Sequence, residues 1–228
     1  MGSGQAAPRT FDEEVTTMPA LTKLDMKREL KPLYSPPTHP VLVEVPSLSF
    51  LMIDGVIPKG SAGPGADPGF RRAIGSLYAV GYALKFEAKA AGRDFVVMPL
   101  EGRFADDTEQ ALLERDDGPM RWTLMILQPP WITRDHATEA IDGLVANGRL
   151  SDPSTLRLET FTEGPAAQVL HYGPYAEERP TIEKLQAFIA ECGLVPRPRH
   201  HEIYLSDPNR TPPERLKTVI RLPVSDGP

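Results

Sequence analysis

The chain reads as an α+β protein, a duplicated β-α-β-β module with a pseudo-two-fold antiparallel sheet and a central ligand groove. Three observations predict this class. The order strand, helix, strand, strand occurs twice along the 228 residues. The halves share local texture: Trp122-Thr123-Leu124-Met125-Ile126-Leu127-Gln128-Pro129 matches Lys217-Thr218-Val219-Ile220-Arg221-Leu222-Pro223, and Phe95 to Gly102 stands where His201 to Pro208 stands. Third, His200-His201-Glu202-Ile203-Tyr204-Leu205-Ser206-Asp207 reads as a strand on which alternation puts His200, Glu202 and Tyr204 on one face. A carboxylate beside a phenol is costly in a sheet core and natural in a cavity wall.

The elements follow in order. Lys23 to Leu33 is a charged lead-in, and Ser35 to Pro40 an extended, proline-rich connector. Val41 to Pro46 and Leu48 to Ile53 read as strand, closed by Asp54-Gly55. Ile57 to Gly69 is a Gly/Pro-rich loop with no periodicity, and its Gly60 to Gly65 stretch reads as a mobile flap over the groove. Phe70 to Lys89 is a helix, with Ile74, Leu77, Tyr78, Gly81 and Tyr82 near one side. Asp94 to Leu100 and Met120 to Gln128 are strands around an acidic stretch, Glu101 to Pro119, expected as loop or short helix. Thr133 to Asn147 is a spacer helix. The second half gives two strand-like runs in Thr155 to Tyr172, broken at Glu163-Gly164-Pro165, then a turn at Gly173-Pro174-Tyr175. Thr181 to Cys192 is an amphipathic helix, and Arg199 to Leu205 and Leu216 to Val224 are the last strands.

This organisation gives one domain, 23–224, made of half-repeats at about 38–150 and 151–224. Residues 1–22 are expected to be a disordered or tag-like leader. The formal net charge of -6 argues against a nucleic-acid surface and suits neutral or cationic ligands. The single cysteine, Cys192, permits no disulfide and favours a reducing cytoplasm. No apolar run approaches a membrane span, so no membrane partner is expected. A monomer or homodimer is expected.

The chemistry centres on Glu202. It is open to three roles: neutralising a cationic ligand, acting as a general base toward water, or forming a structural ion pair with Arg221. Tyr204 is either a hydrogen-bond donor to a substrate oxygen or a packed sheet aromatic. Tyr78 and Tyr82, one helical turn apart, either stack on a flat ligand or join helix to sheet. Trp122 is a candidate wall residue, Phe50, Tyr34 and Tyr175 are weaker ones, and His200 shares the Glu202 face. Glu101 is either a second carboxylate at the groove or a turn acceptor. His200 and His201 point to opposite faces and cannot bind one ion together, so neither metal nor cofactor is expected.

Five runs in this order carry a resemblance: Lys31-Pro32-Leu33-Tyr34-Ser35-Pro36, Met98-Pro99-Leu100-Glu101-Gly102, Trp122-Thr123-Leu124-Met125-Ile126, His171-Tyr172-Gly173-Pro174-Tyr175 and His200 to Pro208. Together they resemble a stand-alone GyrI-like small-molecule-binding protein over Lys23 to Val224. The resemblance implies the bacterial effector-binding fold and a pocket with an aromatic wall and a buried glutamate, which maps to Glu202. Some stand-alone members are similar to cyclopropanoid hydrolases, which open the strained ring of DNA-alkylating natural products. Gly102-Arg103-Phe104 departs from the aromatic pair expected after Leu-Glu-Gly, which alters the pocket rim. Three functions follow: a hydrolase of cyclopropane-containing genotoxic compounds, with detoxification or antibiotic resistance as its use; a non-catalytic binder sequestering flat, aromatic or cationic drugs; or a protein-interaction module such as a gyrase-binding inhibitor.

Overall fold

The structure, a computed structural model, describes residues 23–61, 63–106 and 119–227. The expected leader and the segment 107–118 lie outside the described residues. Among the described residues seven strands form: β1 (Val41–Ile57), β2 (Leu100–Asp106), β3 (Met120–Leu127), β4 (Arg157–Tyr172), β5 (Leu194–Pro196), β6 (His200–Tyr204) and β7 (Lys217–Asp226). Five helices accompany them: α1 (Met26–Glu29), α2 (Lys31–Tyr34), α3 (Pro68–Ala90), α4 (Arg134–Ala146) and α5 (Arg179–Glu191). The order β1-α3-β2-β3 and β4-α5-β6-β7 repeats the predicted module, with α4 between the halves.

The sheet is antiparallel and closes on itself. Its order is β4-β1-β3-β2-β6-β7, and β7 pairs again with β4; the short β5 adds to the end of β7. Closure removes the open sheet edges and gives every strand an inward and an outward face. The helices sit outside. Phe70 of α3 meets Trp122 edge-on at 5.2 Å, and Gly81 of α3 comes close to Leu51. Ile182, Leu185 and Ile189 of α5 pack with Ala167, Val169, Ile220, Leu222 and Val224. Leu51, Trp122, Val169 and Ile220 therefore face outward, and their sequence neighbours face the lumen.

Local chemistry explains the element ends. Asp67 accepts the Phe70 N–H at 2.7 Å and Pro68 opens α3, so an orphan donor is capped and a missing one is harmless. Thr133 and His136 form a reciprocal cap on α4. That helix buries Ala137, Ala140 and Leu144, so it is a packed layer rather than a spacer.

Three boundaries differ from expectation. The runs on either side of Pro46 belong to one strand, β1, and the break expected at Glu163-Gly164-Pro165 lies inside one strand, β4. Gly164 takes φ +74, which only glycine adopts freely, and it turns the chain without ending the ladder. The kink shifts the alternation, so Glu163 and Gln168 both reach the lumen despite their odd spacing. Asp94 to Pro99 is not a ladder strand; one bridge, Leu24 to Phe95, ties it to the lead-in. The strand begins at Leu100 and takes in Glu101 to Asp106, which the acidic composition had suggested as loop or helix.

The lumen carries a closed polar network. His201 is held at Nδ1 by Glu163, 3.0 Å, and at Nε2 by Glu101, 3.0 Å. Tyr34 of α2 donates to Glu101 at 2.6 Å. Arg221 donates to Glu163 at 3.2 Å, to Gln168 at 3.0 Å and to the Leu33 carbonyl at 2.9 Å, while Gln168 donates to the Pro32 carbonyl at 2.6 Å. The network thus fastens α2 to the barrel. Burial works against the charge on His201, but Glu163 and Glu101 outweigh it and hold the imidazole above its ordinary value. Burial also works against the charge on Glu163, but His201 and then Arg221 prevail and hold it at about 2. Burial, reinforced by Glu101, pushes the Tyr34 hydroxyl well above its usual range.

Two outcomes are expected. The Trp122 ring lies over Gly55, where an added Cβ would stand 2.0 Å from it. Gly55→Ala should cost about 1–3 kcal/mol by overpacking and change the tryptophan emission, measured in a urea titration. The depressed Glu163 contributes stability that is full above its unfolded value of 4.5 and is lost as pH falls toward about 2. The raised His201 contributes stability that is full below 6.5 and is lost as pH rises through its folded value. Glu163→Gln should flatten the acid limb and cost about 3–5 kcal/mol at neutral pH. An acid limb unchanged in the variant would remove Glu163 as its source.

Candidate functional site

Strand β6 has a second polar face, on the outside of the barrel between the α3 and α5 sides. His200 Nε2 meets Glu202 Oε1 at 2.8 Å, and the Tyr204 hydroxyl donates to Glu202 Oε2 at 2.8 Å. Each carboxylate oxygen of Glu202 therefore has a strand-mate two residues away, as the period of two requires. Across the ladder Glu202 stands between Gly102 of β2 and Ile220 of β7, and Tyr204 stands beside Thr218. The Tyr175 ring meets Tyr204 edge-on at 5.5 Å.

Glu178 completes the cluster. It precedes α5 at the N-cap position, yet its side chain makes no capping bond and turns toward Glu202 and His200 instead. The ligand atoms of Glu178, His200 and Glu202 lie within 4.8 Å of one another. Glu178 Oε1, His200 Nδ1 and, two strands across, His171 Nε2 are buried without hydrogen-bond partners. Buried polar atoms are normally satisfied, so unmet atoms on one face mark a place for a polar ligand group.

The two carboxyl groups differ in charge state. Burial, and then the charge of Glu202, push Glu178 up to about 9, so it keeps its proton at neutral pH. Burial also opposes charge on Glu202, but the hydrogen bond and charge of His200, with the Tyr204 hydroxyl, hold it below the ordinary carboxylate value. Burial and the neighbouring Glu202 raise Tyr204 well above its usual range; burial and Glu178 raise Tyr175 to about 12. The face thus combines one carboxylate, one neutral carboxylic acid and two neutral phenols. Glu202 keeps 14% of its side chain accessible, enough to be reached from outside.

The structure divides the expected site residues. Glu202, His200, Tyr204 and Tyr175 come together. Glu101 does not join them: it is opposite Ile203, one position along from the Gly102–Glu202 pair, so it projects into the lumen. Phe50 and Tyr34 also belong to the lumen. Arg221 pairs with Glu163 rather than Glu202, because it lies opposite His201 on the inward face. Trp122 is buried beneath α3 against Phe70. Tyr78 is half-buried beside the Leu100 backbone, whereas Tyr82 is 47% exposed and continues a ring ladder from Tyr78 (6.4 Å) to Phe86 (6.3 Å). Tyr204 directs its proton to Glu202, which displaces its expected role as a donor to a substrate oxygen. Sequence reasoning missed Glu178, because an acidic residue just before a helix reads as a cap. An open depression of about 650 Å³ near Leu42, Glu44, Arg197 and Val224 shares no residue with this cluster.

Comparison with known proteins places the geometry. The GyrI-like small molecule binding domain matches residues 126–225. An uncharacterized conserved protein from Listeria innocua is similar at 35% identity and TM-score 0.79, over 89% of this chain and 100% of its own. A protein from Listeria innocua described as a hydrolase is similar at 34% identity and TM-score 0.76, over 90% of this chain and 100% of its own. The EcmrR C-terminal domain, at 12% identity and TM-score 0.53 over 83% of this chain and 98% of its own, shares the fold alone. A search of curated proteins gave no match. Among the described residues no helix is long and apolar enough to cross a membrane. A barrel of two β-α-β-β modules, the match to the domain and the full-length likeness to the Listeria proteins together make this chain a member of the GyrI-like small-molecule-binding family.

Proposed function

We propose that this protein is a cytoplasmic hydrolase that opens the strained ring of cyclopropane-containing, DNA-alkylating compounds, a detoxifying activity. The observation that carries the reading is the Glu202 carboxylate, held by two hydrogen bonds at 2.8 Å in a face bordered by Tyr175 and Tyr204 and by unmet polar atoms. Two similar solved structures from Listeria innocua described as hydrolases, each 34% identical, support a hydrolytic use of the same fold.

In this reading Glu202 takes a proton from a water molecule as the water oxygen attacks the cyclopropane methylene carbon. The ring carbon–carbon bond breaks, and its electron pair flows to the dienone oxygen, which becomes a phenoxide. Tyr175 stands at the rim with its proton retained and donates a hydrogen bond to that oxygen as charge develops. The phenoxide collects a proton from solvent, and Glu202 returns its own to solvent. Tyr204 and His200 act on Glu202: they fix both of its oxygens and keep it ionised. The aromatic face selects flat ligands, and the carboxylate favours those with positive charge.

A second reading keeps the pocket and omits the chemistry: the protein sequesters flat hydrophobic or cationic drugs. The exposed Tyr82–Phe86 pair on α3 favours it, because it extends the aromatic surface beyond the carboxylate.

Mass spectrometry of a cyclopropane-containing DNA alkylator incubated with the protein decides between them. Wild type should yield a product heavier by one water. Glu202→Gln should slow its formation by about 10²–10⁴-fold, the usual contribution of a general base. Equal rates in both would remove Glu202 from the chemistry. Intact compound retained on both proteins would establish the sequestering function instead.

A further inference from the structure

We propose that Glu178, His200 and Glu202 form a binding site for one divalent transition-metal ion, with Zn2+ the best match. All three candidate ligand atoms lie within 4.8 Å of one another, and they come from two rigid elements, strand β6 and the start of α5. His200 Nε2 and Glu202 Oε1 are 2.8 Å apart, a hydrogen-bond distance that opens by about 0.6 Å to reach the roughly 3.4 Å between neighbouring ligands of a tetrahedral ion bound at about 2.1 Å. One imidazole and two carboxylates suit zinc and its neighbours; calcium and magnesium favour all-oxygen shells.

Independent features point the same way. Glu178 is 5% exposed and its Oε1 has no hydrogen-bond partner, although it sits at a helix N-cap where a backbone N–H would ordinarily be taken. A buried carboxylate oxygen directed away from its own helix and toward an imidazole and a second carboxylate has the disposition of a ligand. Glu202 also has an orienting partner, the Tyr204 hydroxyl on Oε2, and an ion on Oε1 takes the place of its hydrogen bond with His200 Nε2. The accessible part of Glu202 supplies a way in.

The ion and the hydrolytic role compete. While coordinated, Glu202 cannot take a proton from water, so Zn2+ is an inhibitor of that activity rather than its cofactor. The binding claim itself does not rest on the hydrolytic reading, because it is measured without substrate. Protein stripped with a chelator is titrated with zinc chloride by calorimetry and with cobalt chloride by visible absorption. One saturable equivalent is expected. Glu178→Gln and His200→Gln should each weaken it by about tenfold or more and lose the cobalt bands. Thermal melting of the apo variants checks their fold; should His200→Gln not fold, Glu178→Gln decides. Absence of saturable one-to-one binding, or wild-type binding in the folded variants, would overturn the site. Failure of the alkylator assay alone would leave it standing.

Discussion

Strand β6 is where the molecule divides its chemistry. Its two-residue period sends His201 and Ile203 into the lumen and His200, Glu202 and Tyr204 out beneath the helices. Barrel closure makes this division strict, since each face of the strand opens on a separate environment. A slip of one residue in the β2–β6 register would bring Glu101 beside Glu202 and send Gly102 inward. The observed pairing prevents that and keeps Glu101 and Glu202 on opposite faces.

The two faces treat charge differently. In the lumen the network's acids and bases meet partners of matching type: His201 lies between Glu101 and Glu163, and Arg221 spreads three bonds over Glu163, Gln168 and Leu33. Such a network specifies one arrangement and ties the N-terminal helices to the barrel. On the outer face the partners run short. Glu178 keeps a proton because burial opposes its charge and because Glu202, better supplied with donors, is the one that ionises. A saturated network holds a structure together, whereas an undersupplied one leaves atoms for a ligand. This contrast places the candidate site on the outer face, although the lumen holds as many acidic groups.

The family likeness agrees with this division. Full-length likeness to the Listeria proteins carries the fold and the small-molecule-binding class, and both depend on elements the halves share. Glu202 stands opposite Gly102, so its ladder partner on β2 brings no side chain to this face.

Much of this was legible in the residues. The helix at Pro68–Ala90 follows from its apolar spacing, and its start from Asp67-Pro68. The faces of β6 follow from alternation, which is local and needs no partner strand. The grouping of Glu202 with His200 and Tyr204 was accordingly readable from three residues in a row of five. What tertiary structure alone decided is which distant groups meet. Glu163 reaches His201 across 38 positions because Gly164 kinks β4, and Tyr34 reaches Glu101 across 67 because α2 packs on the barrel. Glu178 joins Glu202 only when α5 docks on β4 and β7. Short-range periodicity fixes the direction a side chain points along its own strand; the opposing side chains are fixed by ladder register and helix docking, which are long-range.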